Sequence, residues 1–272
     1  DNYPWWFIRI LPFDLLTEYD FVSESINYRD LPYLISKHPI SYSYSASLKY
    51  NSFFDTNKKK SNNNILAFAP TYSDKKDTSK LDHQLENLPF AKTEVIDIVR
   101  NREGTAYYGI DATKNNFLKY AGSNDMLHLA MHTIINDSLP MQSKLVFYNE
   151  EVDTTSHYMF THEIFNMDLN ASMVTLSACN TGSGKFRKGE GIMSLARGFV
   201  YAGVPSIVMT LWEVQDASGS IVMKKYYEYL KEGMTKDVAL RKAKLFVLKD
   251  ANMARAHPFF WSAYIISGDT TP

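Results

Sequence analysis

Short apolar runs alternate with amphipathic segments along most of the chain after residue 64. Five runs of apolar or β-branched residues are bounded by turn formers: 65–69, 126–132, 144–148, 173–179 and 206–212. Such continuous apolarity is typical of strands that are buried on both faces of a parallel sheet. We therefore expect five strands, the first of them ended by Pro70.

Four further segments space their apolar residues three and four positions apart, as one face of an α-helix does. These faces comprise Ala91, Val95, Ile98 and Val99; Ile192, Leu195, Ala196 and Phe199; Met223, Tyr226, Tyr227 and Leu230; and Ala239, Ala243, Phe246 and Val247. Strands that alternate with helices of this length predict an α/β fold, in which helices cover both faces of a mostly parallel sheet.

A polar stretch, "NKKKSNNN" at 57–64, interrupts the pattern and predicts a boundary. We expect an N-terminal accessory part at 1–63 and the main α/β domain at 64–272. A second polar patch at 71–84 is expected to form a surface loop.

Composition limits the classes of partner. The 272 residues carry a net charge of −1, so no overall field favours nucleic acid or a membrane surface. No apolar run approaches 18 residues, which leaves no candidate membrane span. The chain begins at Asp1 rather than Met, so we expect a piece of a longer protein. A single cysteine excludes an internal disulfide and fits a reducing, cytoplasmic compartment.

Two residues of possible chemical importance end candidate strands. His132 ends the second run and Cys179 ends the fourth, 47 residues later. Functional groups gather beyond the carboxyl ends of parallel strands. A thiol that attacks a carbonyl needs a proton acceptor, which histidine supplies, and caspases place their histidine about 50 residues before the cysteine. The small residues "NTGSG" after Cys179 would offer backbone N–H groups to an oxyanion.

Each residue also has a structural interpretation. A lone cysteine is most often an inert buried side chain, and a histidine at a strand end is often only hydrogen-bonded. His128 and His132 would lie on one side of a helix, as in the zinc motif H-E-x-x-H. Leu129 occupies the glutamate position of that motif, however, and the segment is more typical of a strand, so we expect no metal cofactor.

Several blocks of sequence resemble one family in the family's order. They are "LPYLISKHPISYSYSAS", "NNILAFAP", "LPFAKTEV", "GIDATKNNF", "LHLAMH", "LSACNTGSGKFRKGEGIMSLARGFVYAGVPSIVMTLWEVQD" and "HPFFWSAYIISGD". The chain resembles the CHAT domains, which are caspase-like domains often found beside TPR repeats and related to caspases and separase. The resemblance implies a caspase–haemoglobinase-like α/β/α sandwich from about residue 64.

The resemblance also implies a site and partners. Cys179 would be the nucleophile and His132 the general base and acid of a cysteine endopeptidase that cleaves a protein substrate without a cofactor. An N-terminal TPR region, another regulatory region or an activating partner would control it, in bacterial regulation or defence.

One residue departs from the family pattern. Glycine usually follows the catalytic histidine of the family, and Thr133 stands there in this chain. The oxyanion region would comprise the backbone at Thr133 and Cys179. Because a β-branched residue restricts the backbone, we expect either a reshaped loop or slow turnover.

The stretch "LWEVQD" resembles the "LW-x-V-x-D" stretch of separase, where an acid receives a basic P1 side chain. Asp216 matches that acid and Glu213 is a second candidate, so the resemblance implies cleavage after Arg or Lys. The alternative is that Asp216 caps the helix that follows it.

Two further alternatives stay open. The basic loop "GKFRKGEG" is either a solvated surface loop or a self-processing site at Lys185, Arg187 or Lys188. The whole domain is either a peptidase or a non-catalytic caspase-like module that signals by docking.

Overall fold

Nine strands and six helices form the part of the chain that the computed structural model describes: residues 13–17, 27–46, 63–72, 85–136, 138–149, 156–177, 190–212, 214–250 and 256–272. The strands are β1 (Ile65–Pro70), β2 (Gly104–Gly109), β3 (Met126–Leu129), β4 (Thr133–Ile134), β5 (Lys144–Val146), β6 (Tyr158–Phe160), β7 (Met173–Leu176), β8 (Ser206–Thr210) and β9 (Tyr264–Gly268). The helices are α1 (Ala91–Arg100), α2 (Lys114–Tyr120), α3 (Thr161–Phe165), α4 (Glu190–Tyr201), α5 (Asp216–Lys231) and α6 (Lys236–Leu248).

A six-stranded sheet in the order β2-β1-β3-β7-β8-β9 forms the middle layer. All neighbouring pairs are parallel except β8 and β9, which are antiparallel. The expectation of a mostly parallel sheet is therefore confirmed. The parallel strands β1, β3, β7 and β8 all end at one edge of the sheet, which brings the segments after β3 and β7 together.

Helices cover both faces of this sheet, as the alternation of strands and helices predicts. Side chains alternate along each strand: in β3, Leu127 and Leu129 join the apolar cluster on one face, and Met126 joins the cluster on the other. The first cluster includes residues of α2, α3 and α4, and the second includes residues of α1, α5 and α6. The architecture is an α/β/α sandwich.

One predicted strand forms but lies outside the main parallel sheet. The run at 144–148 yields β5, which belongs to a separate antiparallel sheet in the order β4-β5-β6. A short apolar run looks the same whichever sheet buries it, so its pattern alone does not select the partner strand. The small sheet begins directly after His132, because β4 starts at Thr133.

The described residues before 47 pack against the main domain. Tyr33 and Ile35 join the cluster that contains Trp261, and the rings of Tyr33 and Trp261 meet edge to face at 5.2 Å. The buried Lys244 of α6 pairs with Asp14 at 3.0 Å. The boundary between 1–63 and 64–272 stays a prediction. Among the described helices, none is long and apolar enough to cross a membrane.

Candidate active site

A cavity of about 410 Å³ opens at the carboxyl edge of the main sheet, between α1 and α5. Its walls come from the segment before α1, from α1, from the residues that follow β3 and β7, from the start of α5 and from the start of β9. The lining residues are Glu86, Asn87, Leu88, Pro89, Ala91, Glu94, Ala130, His132, Ser177, Val214, Gln215, Asp216, Gly219, Phe259 and Tyr264.

His132 lies in the wall of this cavity, three residues beyond the end of β3, with 1% of its surface exposed. Its backbone N–H donates to the Tyr72 hydroxyl at 2.9 Å, and its carbonyl accepts from the N–H of Val146 at 3.1 Å. The rings of Tyr72 and His132 lie 4.6 Å apart. These contacts hold the backbone of His132 between β1 and the small sheet.

The imidazole of His132 has one satisfied nitrogen and one that is unsatisfied. Nε2 lies 2.6 Å from the backbone carbonyl oxygen of Glu86, and a carbonyl accepts only, so Nε2 carries the proton. Nδ1 is buried and has no hydrogen-bond partner among the residues that the structure describes. Burial lowers the pKa of His132, and the Glu86 carbonyl opposes this only in part. The ring is therefore neutral at pH 7, with the lone pair of Nδ1 available to accept a proton.

A short segment before α1 covers both His132 and Asp216. Glu86 supplies the carbonyl on Nε2, and the N–H of Phe90 donates to Asp216 Oδ2 at 2.6 Å. Asn87 anchors the segment to the end of β1, because its Oδ1 accepts from the Tyr72 N–H at 2.7 Å and from the Thr71 hydroxyl at 2.9 Å. We call residues 86–90 the covering segment.

Asp216 is the first residue of α5 and lines the same cavity as His132. Asp216 does not cap its own helix. The N-cap residue of α5 is Gln215, whose side chain makes no capping hydrogen bond. The carboxylate instead accepts from Phe90, the N-cap residue of α1. Burial raises the pKa of Asp216, the bond from Phe90 opposes this, and nearby Glu94 adds to it.

Sequence reasoning missed a second carboxylate in the cavity, that of Glu94. This side chain is 3% exposed, and its Oε1 accepts from His128 Nε2 at 2.7 Å and from the Ser177 hydroxyl at 2.5 Å. A signal was present, because Glu94 falls on the same face of α1 as Ala91, Val95 and Ile98. A charged residue on an otherwise buried helix face points to a buried polar contact.

His128 has a role other than the one in a zinc motif. It lies in β3, so His128 and His132 do not share a helix face. Its Nδ1 lies 3.2 Å from the Tyr227 hydroxyl, and its Nε2 contacts Glu94, so protein groups occupy both ring nitrogens.

Thr133, which follows His132, pairs with Leu145 in the small sheet. The N–H of Val146 donates to the carbonyl of His132, which makes Thr133–Leu145 a non-hydrogen-bonded pair of the antiparallel ladder. The ladder therefore leaves the N–H of Thr133 uncommitted to β5. Extended backbone is also the conformation that β-branched residues favour.

The other predicted site residues lie outside the described residues. These are Cys179, Glu213, Lys185, Arg187 and Lys188. Ser177, two positions before Cys179, is described: its N–H donates to Leu129 of β3 at 3.0 Å, and its carbonyl accepts from the Tyr264 hydroxyl at 3.3 Å. The structure thus brings His132 and Asp216 to one cavity, beside the end of the strand that leads to Cys179.

Solved structures with a likeness to this chain include two peptidases. The Arg-specific cysteine proteinase gingipain R is 11% identical with a TM-score of 0.45, over 76% of this chain and 46% of that chain. Separase of Saccharomyces cerevisiae, in complex with securin, is 12% identical with a TM-score of 0.49, over 89% of this chain and 14% of that chain.

Relatives by sequence are the mouse and human proteins named tetratricopeptide repeat protein 28. Each is 24% identical to this chain over 106 residues, which are 39% of this chain and 4% of the relative. The chain therefore matches only a small part of the length of these curated relatives. The model of the CHAT domain matches residues 7–269, nearly the whole sequence. This chain belongs to the CHAT domain family.

Proposed function

We propose that this chain is a cysteine endopeptidase domain that cleaves a protein substrate by means of Cys179 and His132. One observation carries the proposal: His132 and Asp216 line one cavity at the carboxyl edge of the sheet, beside the end of β7. A neutral, buried imidazole with one uncommitted nitrogen is what a general base requires. Membership in the CHAT family and the α/β/α sandwich agree with a peptidase-like fold.

The proposed reaction proceeds in two steps. Nδ1 of His132 takes the proton of the Cys179 thiol while Sγ attacks the scissile carbonyl carbon. The resulting imidazolium then protonates the leaving amine, and a thioester between substrate and Cys179 remains. Water, deprotonated by the neutral His132, hydrolyses the thioester and restores the thiol. No metal or organic cofactor takes part.

The backbone after His132 would contribute to binding the oxyanion. The N–H of Thr133 is not used by the pairing with β5. Together with the backbone at Cys179, it would donate to the oxygen of the tetrahedral intermediate. Because Thr133 is an extended strand residue, its β-branched side chain fits the backbone here, and the departure from glycine does not by itself predict slow turnover.

Asp216 would bind a basic P1 side chain. It lies in the wall shared with His132 and is partly buried, and none of the described residues that line the cavity is a lysine or an arginine. The cationic side chain of a P1 Arg or Lys would supply the positive charge that pairs with this carboxylate. Glu213 is a second candidate for the same role.

A P1-scanning peptide library tests this preference. Cleavage after Arg or Lys, reduced in Asp216→Asn, is the expected result. Preference for an acidic or a bulky apolar P1 residue would contradict the proposed role of Asp216 but not the proposed peptidase activity.

The covering segment is proposed to keep the domain latent. It contacts the candidate base through Glu86 and the candidate P1 acid through Phe90, so a substrate in the cavity must displace it. A partner, or an N-terminal region outside this chain, would stabilise the displaced form. The similarity to tetratricopeptide repeat proteins supports a TPR region in that role.

The same observation favours a second candidate function, a caspase-like module that docks partners and does not cleave. In that case the covering segment would stay in place under all conditions. A thiol-reactive peptide probe with a basic P1 residue separates the two functions, because only the peptidase reacts in a way that requires both Cys179 and His132.

The loop with Lys185, Arg187 and Lys188 is proposed as a self-processing site. Intact-mass measurement of the wild type beside Cys179→Ala tests this. Cleavage within 185–188 in the wild type alone is expected, and one uncut species in both proteins would contradict it.

A further inference from the structure

We infer that Glu94 forms the floor of the P1 pocket and acts, with Asp216, as a second carboxylate that selects a cationic P1 side chain. This inference rests on the proposed function, and it assigns a specificity role to a residue outside the "LWEVQD" stretch. Both residues line the cavity, Asp216 from the start of α5 and Glu94 from α1.

A chain of hydrogen bonds sets which nitrogen of His128, the ring partner of Glu94, carries a proton. Tyr227 lies 3.0 Å from the Thr175 hydroxyl and 3.2 Å from His128 Nδ1, and burial raises the pKa of Tyr227, so it keeps its proton. Among the described residues, the order that gives every hydroxyl an acceptor runs from Thr175 to Tyr227, then to His128, then to Glu94. If both nitrogens of His128 carried protons, Tyr227 would have to donate to Thr175, and the Thr175 proton would have no acceptor in that part of the chain.

In that order His128 is neutral, with its proton on Nε2. It therefore donates to Glu94 without cancelling its charge. The Ser177 hydroxyl donates to the same oxygen, Oε1. Oε1 therefore accepts from two neutral donors, which favour the carboxylate form without cancelling its charge, and no cation lies beside it among the described residues.

The second oxygen of Glu94 is the one available to a ligand. Oε1 accepts both bonds, and Oε2 has no hydrogen-bond partner in the described part of the chain. A carboxylate that is 3% exposed gains little from water, so an incoming ammonium or guanidinium would gain a strong charge-assisted bond.

Small residues leave room for such a side chain above Glu94. Ala91, Ala130 and Gly219 line the cavity, and these residues have short side chains or none. Asp216 offers a further acceptor, since its Oδ2 alone takes the bond from Phe90. The pocket thus presents one carboxylate oxygen from each of two helices, and the several donors of Lys or Arg suit more than one acceptor.

The test compares four proteins on four substrates. The proteins are the wild type, Glu94→Gln, Asp216→Asn and the surface control Asp97→Asn, which lies on the same helix as Glu94 and pairs with Lys224. The substrates are matched peptides with Arg, Lys, citrulline or norleucine at P1. Glutamine keeps an oxygen for His128 and Ser177 but presents an N–H₂ donor to the cavity.

Loss of selectivity is the expected result. Glu94→Gln should lower kcat/KM for the Arg and Lys peptides by about 10- to 100-fold, the effect of one hydrogen bond to a charged group, and leave the citrulline and norleucine peptides within about 3-fold. Asp97→Asn should match the wild type. An equal loss on all four peptides, or unchanged selectivity, would overturn the role of Glu94 while the peptidase proposal stands.

A binding measurement decides the case in which no peptide is cleaved. Cys179→Ala protein is titrated with agmatine, a small guanidinium amine, by calorimetry, with and without Glu94→Gln. Binding that weakens at least 10-fold in Glu94→Gln supports the pocket even if the peptidase proposal fails. No binding to Cys179→Ala, or equal binding by both proteins, overturns it.

Discussion

Nε2 of His132 lies 2.6 Å from the backbone carbonyl oxygen of Glu86. This contact fixes the proton on Nε2, leaves Nδ1 as the basic nitrogen, and covers the ring with the segment that also contacts Asp216. A single hydrogen bond therefore sets the tautomer of the candidate base and also contributes to closing the site.

The first prediction concerns pH. Burial lowers the pKa of His132 below its ordinary value of about 6.5. On acidification the unfolded chain takes up this proton first, so the free energy of unfolding should fall as the pH drops through about 6.5 towards the folded pKa. His132→Gln should lose this part of the pH dependence.

The measurement is a set of denaturant titrations of both proteins between pH 5 and 8, with an NMR titration of the His132 ring. The kcat/KM of an active form should fall on acidification, because a protonated His132 cannot act as the general base. A ring that titrates at or above its ordinary pKa would contradict the buried, neutral base.

The second prediction concerns the covering segment. Asn87→Ala removes two bonds to the end of β1, so the segment should lift more easily from His132. The pKa of His132 should rise towards its ordinary value, and a thiol-reactive probe should react up to about 10-fold faster, the effect of about one net hydrogen bond. Asn166→Ala, which removes an exposed bond on α3, is the control. An unchanged pKa and an unchanged labelling rate would show that Asn87 does not hold the segment.

The third prediction concerns the free energy of unfolding. His128→Ala leaves the buried Glu94 carboxyl without its ring donor and should destabilise the fold by about 2–3 kcal/mol, the effect of a lost hydrogen bond to a buried charged group. Asp97→Ala breaks the exposed pair with Lys224, at 2.8 Å, and should cost at most about 1 kcal/mol. Urea denaturation of both variants measures the difference. Equal effects would contradict the assignment of Glu94 as a buried charge.

The fourth prediction concerns Thr133, whose buried hydroxyl finds no hydrogen-bond partner within the described ranges. Thr133→Val replaces it by a methyl group and should stabilise the fold by about 1 kcal/mol, or raise the Tm by about 2–4 °C. Thr161→Val is the matched control, because the Thr161 hydroxyl donates to the Ser143 carbonyl at 2.9 Å. Thr161→Val should lower the free energy of unfolding by about 1 kcal/mol. A loss in both variants would mean that the Thr133 hydroxyl has a partner.

The sequence predicted the central part of the fold because burial leaves a clear pattern there. Continuous apolar runs coincide with the strands β1, β3, β7 and β8. Apolar residues spaced three and four positions apart coincide with the helices α1, α4, α5 and α6. It missed β2, an edge strand with mostly exposed or half-buried residues, because an edge strand need not be apolar. It also missed the helices α2 and α3, because they have too few turns to show a repeated spacing of apolar residues.

The site was predicted only where chemistry follows a strand end or a family motif. His132 and Asp216 were predicted in this way, and both line one cavity. Glu94 and the Glu86 carbonyl were not, since the first acts through a tertiary contact with β3 and the second through its backbone. A backbone carbonyl has no signature in a sequence, and the partner of a buried carboxylate becomes known only when the strands are placed.

The account is tested most directly by a peptide chloromethyl ketone with arginine at P1, followed by mass spectrometry of the labelled protein. Both the wild type and Asn87→Ala should be labelled at Cys179, while His132→Gln should not, and a matched citrulline probe should react at least about 10-fold more slowly. No labelling in either background, or labelling at Cys179 that persists undiminished in His132→Gln, would contradict the proposed Cys179–His132 peptidase.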